Sequence, residues 1–146
     1  MRSRTDETLK YVQFLARRFD KRDTKAVALI ILIDLNVQPS NEGFGYLRKA
    51  IEMGLNNSGR TITKGNYPAI SLFFDGNDTW GPVEQAIRRA IKTAWDERDE
   101  EVWNLFFPPK KGRKTQCPSN KEFIARISCI IELWQSCEEA DYERNK

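Results

Sequence analysis

Residues 62–95, ITKGNYPAISLFFDGNDTWGPVEQAIRRAIKTAW, carry the clearest structural pattern of the chain. Their second half repeats small and apolar residues at the spacing of an amphipathic helix. The repeating residues are Val83, Ala86, Ile87, Ala90, Ile91, Ala94 and Trp95. The polar residues of the opposite face are Glu84, Gln85, Arg88, Arg89 and Lys92. The pattern predicts a helix over about 81–95, with Gly81 as its cap and Pro82 in its first turn, where proline is tolerated.

A shorter helix is predicted just before this one, over about 67–74, because Tyr67, Ile70 and Phe74 share one helical face. Between the two helices lies DGNDT, residues 75–79, a sequence typical of turns. A short helix, a turn and a longer amphipathic helix form the outline of a helix-turn-helix that binds DNA. A plain helical hairpin in a bundle has the same outline, and the residues alone leave both alternatives open.

Residues 26–35 are apolar without a clear period and fit either a buried strand or a buried helix. No second strand-like run exists to pair with them, so we favour a helix, capped near Asp23. Further helices are predicted from about 43 to 55, over 102–107, and from Ser119 to about 137. The last of these begins with a capping box, in which Glu122 follows Ser119 by three residues, and its inward positions are Phe123, Ile127, Ile130 or Ile131, and Trp134. The expected fold is all-α, a compact bundle of five to six helices containing a helix-turn-helix.

We divide the chain into a charged N-terminal segment, residues 1–22, a DNA-binding domain, residues 23–137, and a charged C-terminal tail, residues 138–146. The N-terminal segment fits an added helix, an arm that binds a partner or phosphate, or a solvated tail. Its few apolar residues do not decide between these alternatives.

The 146 residues have a formal net charge of only +3, but the charges are unevenly distributed. A basic stretch that contains no acid holds Lys110, Lys111, Arg113 and Lys114, whereas residues 96–101 hold five acids. Such segregation can produce a basic face on a nearly neutral protein. Solvated loops explain the same distribution equally well.

Several function classes are disfavoured by what the composition lacks. The chain has no histidine, and its three cysteines show no C-x-x-C spacing, so we expect no metal and no cofactor. No nucleophile motif or glycine-rich phosphate loop is present, and we therefore expect neither an enzyme nor a small-molecule substrate. The start of the chain is charged and its longest apolar run is short, so we expect a cytoplasmic protein without a membrane partner. The predicted DNA binding would make it nucleoid-associated.

Several separated motifs resemble one known domain, in the same order and at roughly the same spacing. They are GYLRKAIEM at 45–53, ITK at 62–64 with YP at 67–68, VEQAIRRAI at 83–91, AW at 94–95 and PSNKEFIA at 118–125. Together they resemble the C-terminal DNA-binding effector domain of the stage-zero sporulation master regulator of endospore-forming bacteria. The resemblance runs from about residue 23 to about residue 134.

The resemblance implies an all-helical domain, with residues 26–35 as a helix and a helix-turn-helix whose recognition helix, about residues 81–95, enters the major groove. Members of the family recognise a short TGTCGAA-like box and bind as tandem, head-to-tail copies. The implied partners are therefore double-stranded DNA and a tandem homodimer on that DNA. The family's base-reading positions correspond to Glu84, Gln85 and Arg88 of this chain.

The chemistry of these residue types suits the implied roles. Arginine can donate two hydrogen bonds to guanine and glutamate can accept one from cytosine N4, each pairing contributing about 1–3 kcal/mol of discrimination. The spacing of four residues also allows Glu84 and Arg88 to orient each other as an ion pair. The residues expected to contact phosphate, which positions the protein without reading sequence, are Lys64, Arg89, Lys92, Lys110, Lys111, Arg113 and Lys114.

The chain also departs from the family. Gln85 stands where the family typically has arginine, and glutamine favours adenine over guanine. The turn over 75–82 is about two residues longer, and the roughly 22 residues before the domain are too few for the family's receiver domain, so we expect an effector without a receiver. The alternative function is a module that no longer reads DNA and pairs with, or antagonises, a full-length sporulation regulator. Gln85 and the longer turn support it, whereas the presence of Glu84, Arg88 and Arg89 argues against it.

Overall fold

The computed structural model describes residues 4–56, 80–109 and 116–137. This part of the chain holds six helices and no strand: α1 (Arg4–Arg18), α2 (Thr24–Asp34), α3 (Glu42–Asn56), α4 (Trp80–Asp96), α5 (Glu100–Phe106) and α6 (Asn120–Ser136). The predicted all-α fold is thereby confirmed. The shorter helix predicted over 67–74 lies outside the described residues, so the first half of the predicted helix-turn-helix stays a prediction.

Helix α6 lies at the centre of the bundle and packs against the five other described helices. The inward positions predicted for it are all buried: Phe123, Ile127, Ile130, Ile131 and Trp134. Its predicted cap is also confirmed, since the Ser119 hydroxyl accepts a hydrogen bond from the backbone N–H of Glu122 at 3.1 Å. Because α6 packs directly against α4, the predicted recognition helix, its first residues lie close to that helix.

The helix favoured above for residues 26–35 is confirmed. It is α2, which begins at Thr24 and ends at Asp34, with Leu35 as its C-cap. Four apolar side chains of α2 are buried: Val27, Ala28, Ile31 and Leu32. Asp23 occupies the N-cap position, but its side chain accepts no capping hydrogen bond, so the predicted cap near Asp23 is a cap by position alone. The stability of α2 therefore comes from burial of its inner face rather than from capping.

Helix α1 shows that the core extends into the N-terminal segment. Val12 and Leu15 are buried, and the Thr8 hydroxyl donates to the Leu105 carbonyl oxygen at 2.8 Å. The Tyr11 hydroxyl donates to the Asp34 carboxylate at 2.7 Å, which joins α1 to the end of α2. Burial, followed by this bond and the negative charge of Asp34, raises the pKa of Tyr11 far above its usual range. Residues 4–18 are thus an added helix packed against α5 and α6.

Helix α3 holds α4 in place at a close backbone contact. A Cβ atom placed on Gly43 would overlap the carbonyl oxygen of Ala86 and lie 2.8 Å from the Cβ of Ala90. The two helices can come this close only because residue 43 of α3 is glycine and the facing residues of α4 are alanines. A larger side chain at any of these positions would push the two helix axes apart. The position of α4 therefore depends on residue 43.

We expect Gly43→Ala to lower the free energy of unfolding by about 1–3 kcal/mol, the usual result of overpacking. The intrinsic preference of a helix for alanine over glycine, about 0.5–1 kcal/mol, opposes this loss without cancelling it. Urea titration followed by far-UV circular dichroism measures the difference.

The matched control is Gly81→Ala in α4, because a Cβ at that glycine meets no atom within 4 Å. This variant should be as stable as the wild type or slightly more stable. Equal stability of the two variants would show that the Gly43 contact relaxes at no cost.

Candidate nucleic-acid interface

Helix α4 has a buried side and an open side, as its amphipathic pattern predicts. The buried residues are Val83, Ala86, Ile87, Ala90, Ile91 and Ala94. The exposed residues include Gln85, Arg89 and Lys92, which follow one another at helical spacings of four and three residues. The helix begins at Trp80, one residue earlier than predicted, so Gly81 and Pro82 both lie in its first turn. This open side offers an amide and two positive charges to solvent.

The three predicted base-reading residues do not lie in equivalent positions. Gln85 is exposed on the open side, whereas Glu84 and Arg88 are half-buried on one flank of α4. That flank faces residues 117–120, the segment that leads into α6. The structure therefore brings Glu84 and Arg88 together with this segment and leaves Gln85 facing outward.

The Arg88 guanidinium is hydrogen-bonded within the protein. Its Nη1 donates to the carbonyl oxygen of Pro118 at 2.7 Å, and its Nη2 donates to the Sγ of Cys117 at 2.9 Å. Among the described residues no ion pair joins Arg88 to Glu84, so the ion pair that their spacing suggested is not formed. The reason is geometric: the carbonyl oxygen of the buried Pro118 lies within reach of the guanidinium and accepts a hydrogen bond from it.

Asn120 is a residue at this site that the sequence reasoning did not single out. Its Nδ2 donates to the backbone carbonyl oxygen of Glu84 at 3.0 Å, although the two residues are 36 positions apart. The residue is only 8% exposed, and its buried Oδ1 has no hydrogen-bond partner among the residues that the structure describes. In the sequence, Asn120 is marked only by its place directly after the capping residue Ser119. A polar residue is ordinary at the start of a helix, so this place did not indicate a contact with α4.

The residues predicted to contact phosphate divide into two groups. Arg89 and Lys92 are exposed on the open side of α4. The remaining residues lie outside the described residues: Lys64, Lys110, Lys111, Arg113 and Lys114. Exposed arginine and lysine on the open side of a helix can neutralise the phosphates that border the groove the helix enters.

The described part of the chain offers neither a metal site nor a membrane span. It contains no group of three or more histidine, cysteine, aspartate or glutamate residues able to hold a metal ion. Within the same residues, no helix combines the length and apolar character needed to cross a membrane.

The chain matches a known protein family over most of its length. The model of the family described as "Sporulation initiation factor Spo0A C terminal" matches residues 29–131. The matched region contains α3, α4 and α5 entirely, together with most of α2 and α6, whereas α1 precedes it. All three predicted base-reading residues and Asn120 fall inside the match.

Proposed function

Because the chain belongs to the Spo0A C-terminal family, whose members are DNA-binding effector domains of a sporulation regulator, we propose that it reads a specific DNA sequence with α4 in the major groove. The chain is thus a DNA-binding transcription regulator of the sporulation class. In the proposal, tandem copies bind neighbouring boxes of the TGTCGAA type. Glu84, Gln85 and Arg88 read the bases, and the basic residues that the sequence analysis assigned to phosphate contact bind the DNA backbone.

The observation that supports this proposal most directly is the open side of α4. Gln85, Arg89 and Lys92 are exposed along one side of a helix whose other side is buried in the core. The major groove admits an α-helix, and a helix fixed to a folded core can present its outer side chains to base edges and phosphates. The exposed amide of Gln85 can both donate to and accept from adenine, while Arg89 and Lys92 carry the charge that phosphates need.

The hydrogen bonds of Arg88 are compatible with a second role at guanine. A guanidinium has five N–H donors, and Pro118 and Cys117 occupy two of them. The remaining donors are sufficient for the two hydrogen bonds that arginine gives to guanine O6 and N7. In the proposal the carboxylate of Glu84, half-buried on the same flank, accepts from cytosine N4.

The same bonds keep a second candidate function under consideration, a module that binds a full-length sporulation regulator and no longer reads DNA. An Arg88 that bonds Pro118 has a use inside the protein, so its presence no longer argues against this candidate. The exposed Arg89 and Lys92, which make no comparable contact among the described residues, still favour DNA.

The test is fluorescence anisotropy of a labelled duplex with two tandem TGTCGAA-type boxes, compared with a scrambled duplex over a salt series. The boxed duplex should bind at least ~10³-fold more tightly, and both affinities should fall with salt as phosphate contacts are screened. A titration at high duplex concentration should saturate at two protein chains per boxed duplex. Equal binding of both duplexes would overturn the proposed box, and no binding at all would favour the interaction module.

A further inference from the structure

Residues 117–120 hold the flank of α4 at two points. Asn120 bonds the backbone of Glu84, and the carbonyl of Pro118 bonds the side chain of Arg88. Both contacts reach the part of α4 to which the proposed function assigns base reading. We propose that this segment, through Asn120 above all, is the positioning element that fixes the orientation of α4 for base reading. The inference rests on the proposed function and assigns a specificity-determining role to Asn120.

The bond from Asn120 is not needed to satisfy the carbonyl that accepts it. Within a helix the carbonyl of residue 84 already faces the N–H of residue 88, four residues later. A carbonyl oxygen has two lone pairs, so the Asn120 amide adds a second donor. What the bond provides is therefore a fixed distance between the second turn of α4 and the first turn of α6.

The two ends of this bond are well placed to control orientation. Asn120 is the first residue of α6, the helix that packs on every other described helix, so its donor belongs to the rigid part of the bundle. The acceptor belongs to Glu84, and Gln85 follows it directly. On the other side, the Gly43 contact fixes how closely α4 approaches α3. Without the Asn120 bond, α4 can rotate about that contact and shift the neighbouring side chains relative to the bases.

The hydrogen bond between Pro118 and Arg88 also restrains α4, at the side chain rather than at the backbone. Pro118 is buried, so its carbonyl presents a stationary acceptor 2.7 Å from Nη1. A long side chain held in one conformation loses less entropy when it binds a base. The segment 117–120 thereby sets both the backbone of α4 and the direction of the Arg88 guanidinium.

The test is the discrimination ratio of Asn120→Ala, meaning the Kd for the scrambled duplex divided by the Kd for the boxed duplex. We expect the ratio to fall about tenfold, the loss that corresponds to one misplaced base contact. The affinity for the scrambled duplex should stay within about twofold of the wild type, because phosphate contacts tolerate small shifts. A residue that only stabilised the fold would change both affinities alike and leave the ratio intact.

The matched control is Ser119→Ala, which removes the cap of the same helix but no described contact with α4. We expect this variant to melt about 2–4 °C lower than the wild type and to keep the wild-type ratio. If Asn120→Ala does not fold, Asn120→Ser replaces it, because a serine hydroxyl is too short to maintain the bond to Glu84.

The outcomes separate the inference from the function on which it rests. A wild-type protein that does not discriminate between the duplexes overturns the proposed function, and the role of Asn120 with it. A wild-type protein that discriminates, together with an Asn120 variant of unchanged ratio, overturns the positioning role alone. A reduced ratio in Asn120→Ala but not in Ser119→Ala supports it.

Discussion

Replacing Trp103 by alanine is expected to lower the free energy of unfolding by about 3–5 kcal/mol, the usual cost of removing a buried aromatic side chain. The residue is 1% exposed, and its ring centroid lies 5.6 Å from that of Trp95, 5.4 Å from that of Phe107 and 5.9 Å from that of Phe123. Its indole Nε1 also donates to the carbonyl oxygen of Leu35 at 2.9 Å. One side chain thus joins the ends of α2, α4 and α5 to the start of α6.

The large cost follows from the shortness of α5. A helix of seven residues is not stable by itself and stays helical only because its inner side is buried. Trp103 and Phe106 are the buried residues of α5, so removing the larger one takes away most of what holds it. Urea titration followed by far-UV circular dichroism is the appropriate measurement, because the substitution itself alters tryptophan fluorescence.

Trp103→Phe provides the matched control. It keeps an aromatic ring in the core and removes the donor to the Leu35 carbonyl, so we expect a loss of about 1–3 kcal/mol. The expected order of stability is wild type, Trp103→Phe, Trp103→Ala. A loss below about 1 kcal/mol in the alanine variant would mean that neighbouring side chains collapse into the space, contrary to the packing described here.

The helices that the sequence predicted well are those with a regular apolar repeat. In α4 and α6 one face is buried and the other is exposed, so the period of the apolar residues reports the helix directly. Helix α2 was harder, because residues 26–35 are apolar nearly throughout, and Ile33 is exposed although it looks as apolar as its buried neighbours. There the residues themselves favoured a helix only because no partner strand was available, and the family resemblance pointed to a helix as well.

The contacts at the candidate site could not be predicted in the same way. Arg88 bonds residues 29 and 30 positions away, and Asn120 bonds a residue 36 positions away. Local spacing suggested Glu84 as the partner of Arg88, since the two are four residues apart on one helix. The structure instead pairs Arg88 with Pro118, a choice fixed by how α6 packs against α4. Gly43 is a similar case, because its need to be glycine comes from the residues of another helix.

Replacing Arg88 by alanine is expected to reduce the preference for the boxed duplex about 10- to 100-fold, which corresponds to about 1–3 kcal/mol for one guanine contact. The variant should also be less stable, because the buried Pro118 carbonyl loses its donor from Nη1. Discrimination must therefore be taken as the ratio of two affinities, since a reduced folded fraction cancels in that ratio. Anisotropy below the unfolding temperature of the variant measures both.

The matched control for this prediction is Arg89→Ala, which removes an equal charge from the adjacent, exposed position. If Arg89 contacts phosphate, its loss should weaken both duplexes alike and reduce the salt slope by about one. Opposite behaviour of the two variants, with Arg89 controlling discrimination and Arg88 controlling general affinity, would exchange their assigned roles.

A modified base can then show whether Arg88 reads guanine or only positions the protein. Replacing each guanine of the box in turn by 7-deazaguanine removes the N7 acceptor and leaves base pairing intact. If Arg88 bonds one of these guanines, the wild type should lose affinity at that position and Arg88→Ala should lose nothing further, a coupling of about 1–3 kcal/mol. Additive losses at every position would mean that Arg88 serves only its bonds with Pro118 and Cys117. Base reading would then fall to Glu84 and to the exposed Gln85, whose amide favours adenine.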